Sequence, residues 1–159
     1  MINKIYILII ISGLLIACNT QPKQLIAPIN KEQVNILLDN WHKAAAEADF
    51  VSYFSYLDSN SVFVGTDKEE VWSKKEFMEF SKPFFDKGKA WAFVAKERNI
   101  YQTSSLEILY FDEVLDTWMG ECRGSGVIQY TIDGKWKIKH YVLSVIIPND
   151  KIKDVLNVL

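Results

Sequence analysis

The side chains best suited to acid–base chemistry in this sequence are His140 and Asp112. An unperturbed imidazole has a pKa near 6.5, so a histidine in a pocket can act as an acid or a base. Strand alternation places His140 on one face with Trp136 and Ile138, which we expect to be the inner face; the alternative is a hydrogen-bonded core histidine. Asp112 and its neighbour Glu113 must point to opposite faces, and periodicity favours Asp112 as the inward carboxylate.

Arg123 is a further candidate, and it lies among glycines in the run GECRGSG at 120–126. Glycine lets a ligand or another backbone approach closely, and a guanidinium can hold a carboxylate through two hydrogen bonds. Arg123 is therefore either a ligand-binding residue or one member of an ion pair. Its candidate acidic partners are Glu121, Glu70 and Asp112.

Neither a metal ion nor a cofactor is expected from the sequence. Asp67, Glu69 and Glu70 form an acidic turn, but their spacing lacks the ligand series and central glycine of a calcium loop. His42, His140 and one free cysteine are too few for a typical zinc site. The sequence also lacks a glycine-rich phosphate loop and a His-Glu-x-x-His motif.

Composition and charge indicate one globular domain with no affinity for nucleic acid. The 159 residues include 18 basic and 20 acidic side chains, for a formal net charge of −2. Phosphate contacts need clustered lysine and arginine, and the lysines at 74–75 and 135–139 are interleaved with acids or alternate along a strand. Hydrophobic residues make up 49% of the chain, which favours a packed core over a disordered chain.

Helical patterns occupy the first half of the predicted domain. Asn30 has the chemistry of an N-cap, and the apolar residues that follow repeat at helical spacing, which predicts a helix over 31–48. Asp49 is suited to cap a second, shorter helix. Ser73 and Glu76 have the spacing of a capping box and predict the start of a third helix.

From Ala90 onward the pattern changes to long strands joined by short turns. Asp133-Gly134 is typical of a hairpin turn, and such short connections require antiparallel pairing. The sequence therefore predicts an α+β fold in which three N-terminal helices pack against a curved, mostly antiparallel sheet. The predicted strands are 61–65, 91–101, 106–115, 118–132 and 136–147.

The first thirty residues have the pattern of a secreted, lipid-anchored protein. An apolar run of 13 residues is too short for a transmembrane helix and suits the core of a signal peptide. The run ends in LIAC at 15–18, which resembles the bacterial lipobox. This resemblance implies that residues 1–17 are removed and that Cys18 is lipidated, with 18–30 as a tether and 31–159 as the domain.

Lipidation of Cys18 would decide both the location of the protein and the state of its second cysteine. Two or three acyl chains hold a protein on a membrane essentially permanently, so the expected partner is membrane lipid and the expected location is the bacterial cell envelope. Asn19 is not the aspartate that favours inner-membrane retention, which favours the outer membrane in a Gram-negative cell. Cys122 then has no intramolecular partner, and we expect a free, buried thiol.

Several segments together carry a resemblance to a known fold family. They are VFVGTDKEEVWSKKEF at 62–77, WMGECRGSGVIQY at 118–130, WKIKHYVLS at 136–144 and the paired N-terminal helices with Trp41 and Tyr53. They resemble the nuclear-transport-factor-2-like superfamily, in its SnoaL-like and ketosteroid-isomerase-like branch. The resemblance implies a cone with a pocket at its open end and frequent dimerisation through the outer sheet face. The isomerase triad of two aspartates and a tyrosine has no matching positions here.

Three functions are compatible with these observations. The first is an envelope lipoprotein that binds a small, largely apolar ligand in its cone without catalysis. The second is an isomerase- or cyclase-type enzyme that acts on a carbonyl substrate with Asp112 or His140 as base. The third is a dimeric interaction module whose outer sheet face presents Tyr141, Leu143 and Val145. The predicted pocket-lining residues are Tyr53, Trp72, Trp91, Arg123 and His140.

Overall fold

The structure, a computed structural model, describes residues 30–158. The predicted signal peptide at 1–17, the lipidation site Cys18 and all but the last residue of the tether at 18–30 lie outside the described residues, so they stay predictions. Between residues 30 and 158, no helix is long and apolar enough to cross a membrane.

Two capped helices begin the domain, as the sequence predicts. Helix α1 (Lys31–Ala46) begins after Asn30, whose side chain accepts a hydrogen bond from a backbone N–H of the first turn at 3.2 Å. Helix α2 (Phe50–Ser55) begins after Asp49, whose carboxylate accepts the N–H of Ser52 at 2.9 Å. These bonds satisfy backbone donors that have no partner inside the helix.

The remaining elements form one six-stranded sheet and two further helices. The order of strands across the sheet is β2-β1-β6-β5-β4-β3, and every neighbouring pair is antiparallel except β1 with β6, which is parallel. The sheet is curved and unclosed, and α1, α2 and α3 pack against it, so the predicted α+β fold is confirmed. The elements are β1 (Leu57–Val64), β2 (Val71–Ser73), α3 (Lys74–Asp86), β3 (Val94–Gln102), β4 (Ile108–Thr117), β5 (Gly120–Tyr130), β6 (Trp136–Val145) and α4 (Ile152–Leu156), the last after a short 3-10 turn at Asn149–Lys151.

The predicted capping box at the start of α3 is present. Ser73 Oγ accepts the N–H of Glu76 at 3.4 Å, and Glu76 Oε2 accepts the N–H of Ser73 at 2.8 Å. Strand β2 lies directly before it and was not predicted, because three residues are too few to show an alternating pattern. The pairing of β2 with β1 places Trp72 beside Phe63.

A bulge in β6 reverses which of its side chains face the core. Ile138 pairs with Ile128 and His140 pairs with Val127, so Lys139 is an extra residue in the ladder. Trp136 and Ile138 are buried before the bulge, whereas His140 lies on the outer face after it. The expectation that His140 shares the inner face with Trp136 and Ile138 is therefore wrong.

The same bulge turns two residues of the predicted outer apolar patch toward the core. Tyr141 and Leu143 are buried in the core, with 2% and 6% of their surface exposed, and of the three predicted residues only Val145 is exposed. The inner face of strand β4 also differs from the prediction, because the buried residues are Phe111, Glu113 and Leu115. Asp112 consequently lies on the outer face, and Glu113 is the inward carboxylate.

Candidate functional site

An aromatic cavity opens to solvent at the end of the sheet where β3 begins and β4 turns into β5. Its volume is about 160 Å³. Most of its walls are rings contributed by β1, β2, α3 and the segment before β3. The lining residues are the aromatic Phe63, Trp72, Phe77, Phe80, Trp91, Phe93 and Trp118, together with Gly65, Thr66, Glu70, Met119 and Leu143.

The rings of the cavity wall support one another by stacking. Phe63 and Phe77 stack with centroids 4.0 Å apart, and Trp72 and Phe80 with centroids 4.4 Å apart. Trp91 lies against Phe77 at 5.7 Å. Offset stacks of this kind add stabilisation beyond burial alone, so the wall is held in place without a ligand.

The polar part of the cavity is the turn between β1 and β2. Gly65 donates its N–H to the carbonyl of Glu70 at 2.8 Å, and Glu70 Oε2 accepts the N–H of Asp67 at 3.3 Å. A Cβ placed on Gly65 would lie 2.0 Å from Glu70 Oε2, so only glycine leaves room for this carboxylate. Glu70 has no salt bridge among residues 30–158, whereas its neighbour Glu69 pairs with Lys68 at 3.6 Å.

A second polar cluster lies inside the core, around the fully buried carboxylate of Glu113. Glu113 Oε1 lies 2.8 Å from His42 Nε2 and accepts the hydroxyl of Tyr141 at 3.1 Å. Glu113 Oε2 accepts Arg98 Nε at 2.8 Å. Arg98 also donates to the exposed carboxylate of Asp39 at 2.7 Å. The cluster therefore joins α1 to β3, β4 and β6.

The electrostatics of this cluster favour an ionised Glu113. Burial alone would raise the pKa of Glu113, but the hydrogen bonds and electrostatic interactions with His42 and Arg98 outweigh it and lower that pKa below its ordinary value. Burial is the main cause that raises the pKa of Tyr141 well above its usual range, and the negative charge of Glu113 adds to it. A carboxylate fixed by three donors is suited to hold helix α1 on the sheet rather than to exchange protons with a ligand.

Glycines in β5 make room for this cluster. A Cβ on Gly124 would lie 2.2 Å from the hydroxyl of Tyr141. A Cβ on Gly126 would lie 2.4 Å from the backbone carbonyl oxygen of His140 and 2.9 Å from the ring of Phe111. The close approach that the GECRGSG run suggests is therefore made by a core side chain at Gly124 and by the backbone of β6 together with a core ring at Gly126. None of the cluster's side chains belongs to the lining of the cavity.

The structure brings together only part of the predicted site. Trp72 and Trp91 line the cavity. Tyr53 is buried behind Trp91, with ring centroids 5.5 Å apart, and does not line it. Two other predicted pocket residues, Arg123 and His140, lie on the outer face of the sheet.

Both predicted general bases also lie outside the cavity. Asp112 is on the outer face, where it pairs with Arg123 at 3.4 Å, one of the alternatives open from the sequence. His140 lies on the same face after the bulge. Neither side chain can therefore reach a ligand in the cavity.

Sequence reasoning missed two carboxylates that the structure singles out. Glu113 was overlooked because the alternation in β4 was assigned to the wrong face. Glu70 was considered only as a metal ligand or an ion-pair partner, and the useful signal was the pair Gly65 and Glu70 flanking a tight turn. Among residues 30–158, no group of three or more His, Cys, Asp or Glu side chains could hold a metal ion.

Comparison with known proteins agrees with this architecture. A family model of the SnoaL-like domain matches residues 34–148, which is most of the described chain. The chain belongs to the SnoaL-like family. The match contains both the aromatic cavity and the buried cluster of this SnoaL-like domain. No curated protein matches the sequence.

Solved structures similar to this SnoaL-like domain share its fold at low sequence identity. An NTF2-like protein of unknown function from Pseudomonas putida KT2440 is 10% identical with a TM-score of 0.60, over 74% of this chain and 87% of the other. An NTF2-like protein from Cytophaga hutchinsonii is 17% identical with a TM-score of 0.60, over 74% and 98%. A domain of unknown function with a cystatin-like fold from Nostoc punctiforme is 12% identical with a TM-score of 0.64, over 81% and 86%.

Proposed function

We propose that this chain is a lipid-anchored protein of the bacterial cell envelope whose SnoaL-like domain binds a small, largely apolar ligand. The observation that carries the proposal is the aromatic cavity, with its volume of about 160 Å³. Small-molecule sites are concave and mostly apolar, with a few polar groups, and an apolar cavity of about 150 Å³ is enough to admit benzene. The bound part of the ligand is therefore about the size of one ring or a short branched alkyl group.

Binding without catalysis is the better-supported form of this proposal. An isomerase or cyclase acting on a carbonyl compound needs a base within hydrogen-bond reach of its substrate, and Asp112 and His140 lie on the outer face of the sheet. The buried Glu113 is engaged by three donors. Among the described residues, Glu70 is the one ionisable side chain that lines the cavity, and it has no second titratable group beside it there.

Binding can be tested with toluene as the probe and methionine methyl groups as reporters. Met119 lines the cavity and Met78 does not, so ¹³C-methyl NMR should show a saturable shift of Met119 with Met78 unchanged. Thr66 is exposed at the mouth, so Thr66→Trp should fill the cavity and abolish the shift. Lys68→Trp places the same ring on the same turn outside the lining and should leave it. An unshifted Met119, or an equal shift in Thr66→Trp, would contradict the proposal.

The lipid anchor has its own test, since Cys18 lies outside the described residues. Cells expressing the chain should incorporate radioactive palmitate into the protein, and Cys18→Ser should abolish both the label and removal of residues 1–17. Cys122→Ser serves as the control and should leave labelling intact. Mass spectrometry of the N-terminal peptide distinguishes the lipidated product from an ordinary secreted one, which would refute the anchor.

We also propose that two copies pair through the outer face of the sheet. One row of that face crosses five strands and contains apolar and aromatic side chains, two of which stack at 4.9 Å. Charges of both signs lie beyond this row, Asp112 in the next row and Arg123 in the row after it, and the two pair at 3.4 Å. Two copies related by a twofold axis can therefore meet without repulsion between like charges. The row consists of Tyr101, Tyr110, Val127, His140 and Val62.

Light scattering coupled to gel filtration tests this pairing directly. The wild-type domain should have twice the mass of one chain, and Tyr110→Lys should reduce it to one, because a buried unpaired charge at an interface is costly. Val51→Lys introduces the same charge on the exposed surface of α2 and should leave the dimer intact. A monomeric wild type, or a dimeric Tyr110→Lys variant, would refute the proposal.

A further inference from the structure

The cavity combines aromatic walls with one carboxylate that has no salt bridge among residues 30–158. Of the twelve residues within 30–158 that line it, seven are aromatic. Among the described residues that line it, no lysine, arginine or histidine is present, and Glu70 is the single ionisable side chain. The lining therefore has a net negative charge inside a largely apolar wall.

The position of Glu70 is held by the local backbone rather than by an ion pair. Its carboxylate lies over the Cα of Gly65 and accepts one hydrogen bond, from the N–H of Asp67 at 3.3 Å. Two other partly buried acids do have cationic partners: Asp58 pairs with Lys139 at 2.8 Å and Asp112 with Arg123 at 3.4 Å. Glu107 is partly buried without a salt bridge among residues 30–158, but unlike Glu70 it does not line the cavity. Glu70 is partly buried, and withdrawing a carboxylate from water is unfavourable unless a partner compensates it, so a positive group on a ligand would complete this arrangement.

The aromatic walls also favour a positively charged ligand. The face of an aromatic ring carries partial negative charge, and it attracts a cation placed within about 6 Å of its centroid. Trp72 and Trp91 are only partly buried and Trp118 is 82% exposed, so ring surface is available to a ligand. An anion would be repelled by both the rings and Glu70, and a neutral ligand would leave the carboxylate unpaired.

We propose that the ligand of this cavity is a small organic cation, a primary or quaternary ammonium group on a short apolar body. This inference rests on the proposed binding function and specifies the chemical class of its ligand. Glu70 neutralises the charge, and the tryptophan and phenylalanine rings enclose the alkyl groups around the nitrogen. The cavity volume of about 160 Å³ admits a molecule of the size of choline.

The test compares choline with dimethylbutanol, the neutral molecule in which carbon replaces the ammonium nitrogen. Both are titrated into the full chain and followed by tryptophan fluorescence and by the methyl resonance of Met119. Choline should bind at least about tenfold more tightly than dimethylbutanol, since cation–π contacts and a carboxylate act only on the charged molecule. Glu70→Gln should weaken choline about tenfold and leave dimethylbutanol unchanged.

Glu69→Gln is the matched control for this variant. It makes the same change in net charge at the adjacent position, whose side chain does not line the cavity, so it should leave both affinities at the wild-type level. A glutamine at position 70 can still accept the N–H of Asp67, so the turn should keep its conformation. An unchanged Met78 methyl resonance in both variants checks that the fold is intact.

Failure of this inference is distinguishable from failure of the binding function itself. If dimethylbutanol binds as tightly as choline, or if Glu70→Gln leaves the choline affinity unchanged, the cation preference is overturned while ligand binding stands. If choline, dimethylbutanol and toluene all fail to shift Met119, both proposals fall together. Loss of choline binding in Glu69→Gln to the same extent as in Glu70→Gln would also overturn the role of Glu70.

Discussion

Replacing Glu113 by glutamine should destabilise the fold far more than replacing Asp39 by asparagine, although both carboxylates accept a hydrogen bond from Arg98. The two bonds have similar lengths, 2.8 Å from Arg98 Nε to Glu113 and 2.7 Å from Arg98 Nη1 to Asp39. Their surroundings differ, because the side chain of Glu113 is 0% exposed and that of Asp39 is 66% exposed. Each substitution removes one negative charge and keeps the shape of the side chain.

The expected magnitudes follow from this difference in burial. Removing one partner of a buried ion pair costs about 3–5 kcal/mol, because the other charge is left uncompensated. In Glu113→Gln the buried guanidinium of Arg98 loses the carboxylate that neutralises it. The NH₂ group of the glutamine must also face a donor, either Arg98 in one orientation of the amide or His42 and Tyr141 in the other. An exposed pair contributes about 0–1 kcal/mol, so Asp39→Asn should change the free energy of unfolding by no more than about 1 kcal/mol.

The pH dependence of the Glu113→Gln effect provides an independent measurement. The pKa of Glu113 is lowered below its ordinary value of 4.5 in the folded protein. A group with a lowered folded pKa contributes stability that is complete above the unfolded pKa and is lost as the pH falls through the folded pKa. The difference between wild type and Glu113→Gln should therefore be fully present above about pH 4.5 and should shrink as the pH falls below that value.

Urea unfolding at a series of pH values measures both quantities, since ΔG in water is obtained by linear extrapolation. Equal slopes against urea for the three proteins would show that the variants change stability and not the compactness of the unfolded chain. The reasoning is refuted if Glu113→Gln lies within about 1 kcal/mol of wild type, if Asp39→Asn is equally destabilising, or if the Glu113→Gln difference grows as the pH is lowered below about 4.5.

Three further substitutions or modifications test separate parts of the structure. Gly124→Ala puts a Cβ 2.2 Å from the hydroxyl of Tyr141, so it should destabilise by about 1–3 kcal/mol, and Tyr141→Phe in the same chain should recover part of that loss in urea unfolding. Ser73→Ala removes the N-cap of α3 and should cost about 1 kcal/mol; an equal loss in the exposed control Ser59→Ala would contradict the assignment. Cys122 is buried, so its thiol should react with a thiol reagent only at the rate of unfolding, and rapid reaction of the native protein would argue against burial.

The parts of this fold that could be predicted from the sequence are those decided by neighbouring residues. An N-cap depends on one side chain and the backbone two or three residues later, so Asn30, Asp49 and Ser73 were all identified correctly. The hairpin turn at Asp133-Gly134 could also be predicted from local sequence, because Gly134 adopts the positive φ of 78° that such a turn requires. These contacts are complete within a few residues, and no distant partner can change them.

The errors arise where one extra residue changes the face of a strand. Lys139 is inserted into β6 opposite β5, and it reaches Asp58 of the irregular part of β1 at 2.8 Å. A strand has a period of two, so one inserted residue reverses every side chain beyond it. That reversal moved His140 to the outer face and Tyr141 to the core, and nothing in the alternation of the β6 sequence marks its position.

Glu113 and Glu70, the two carboxylates that the sequence did not identify, differ in how many partners the protein itself provides. Glu113 is surrounded by three donors of the protein and is therefore already satisfied in the absence of any ligand. Glu70 accepts one backbone hydrogen bond and has no cationic partner among residues 30–158, although it lines a cavity. Because removing one partner from a buried, fully bonded group costs free energy, Glu113 is expected to affect folding, whereas the partly buried Glu70 can gain a partner from a ligand and is expected to affect binding. Glu113→Gln should therefore change stability with little effect on the relative affinities of choline and dimethylbutanol, and Glu70→Gln should do the reverse.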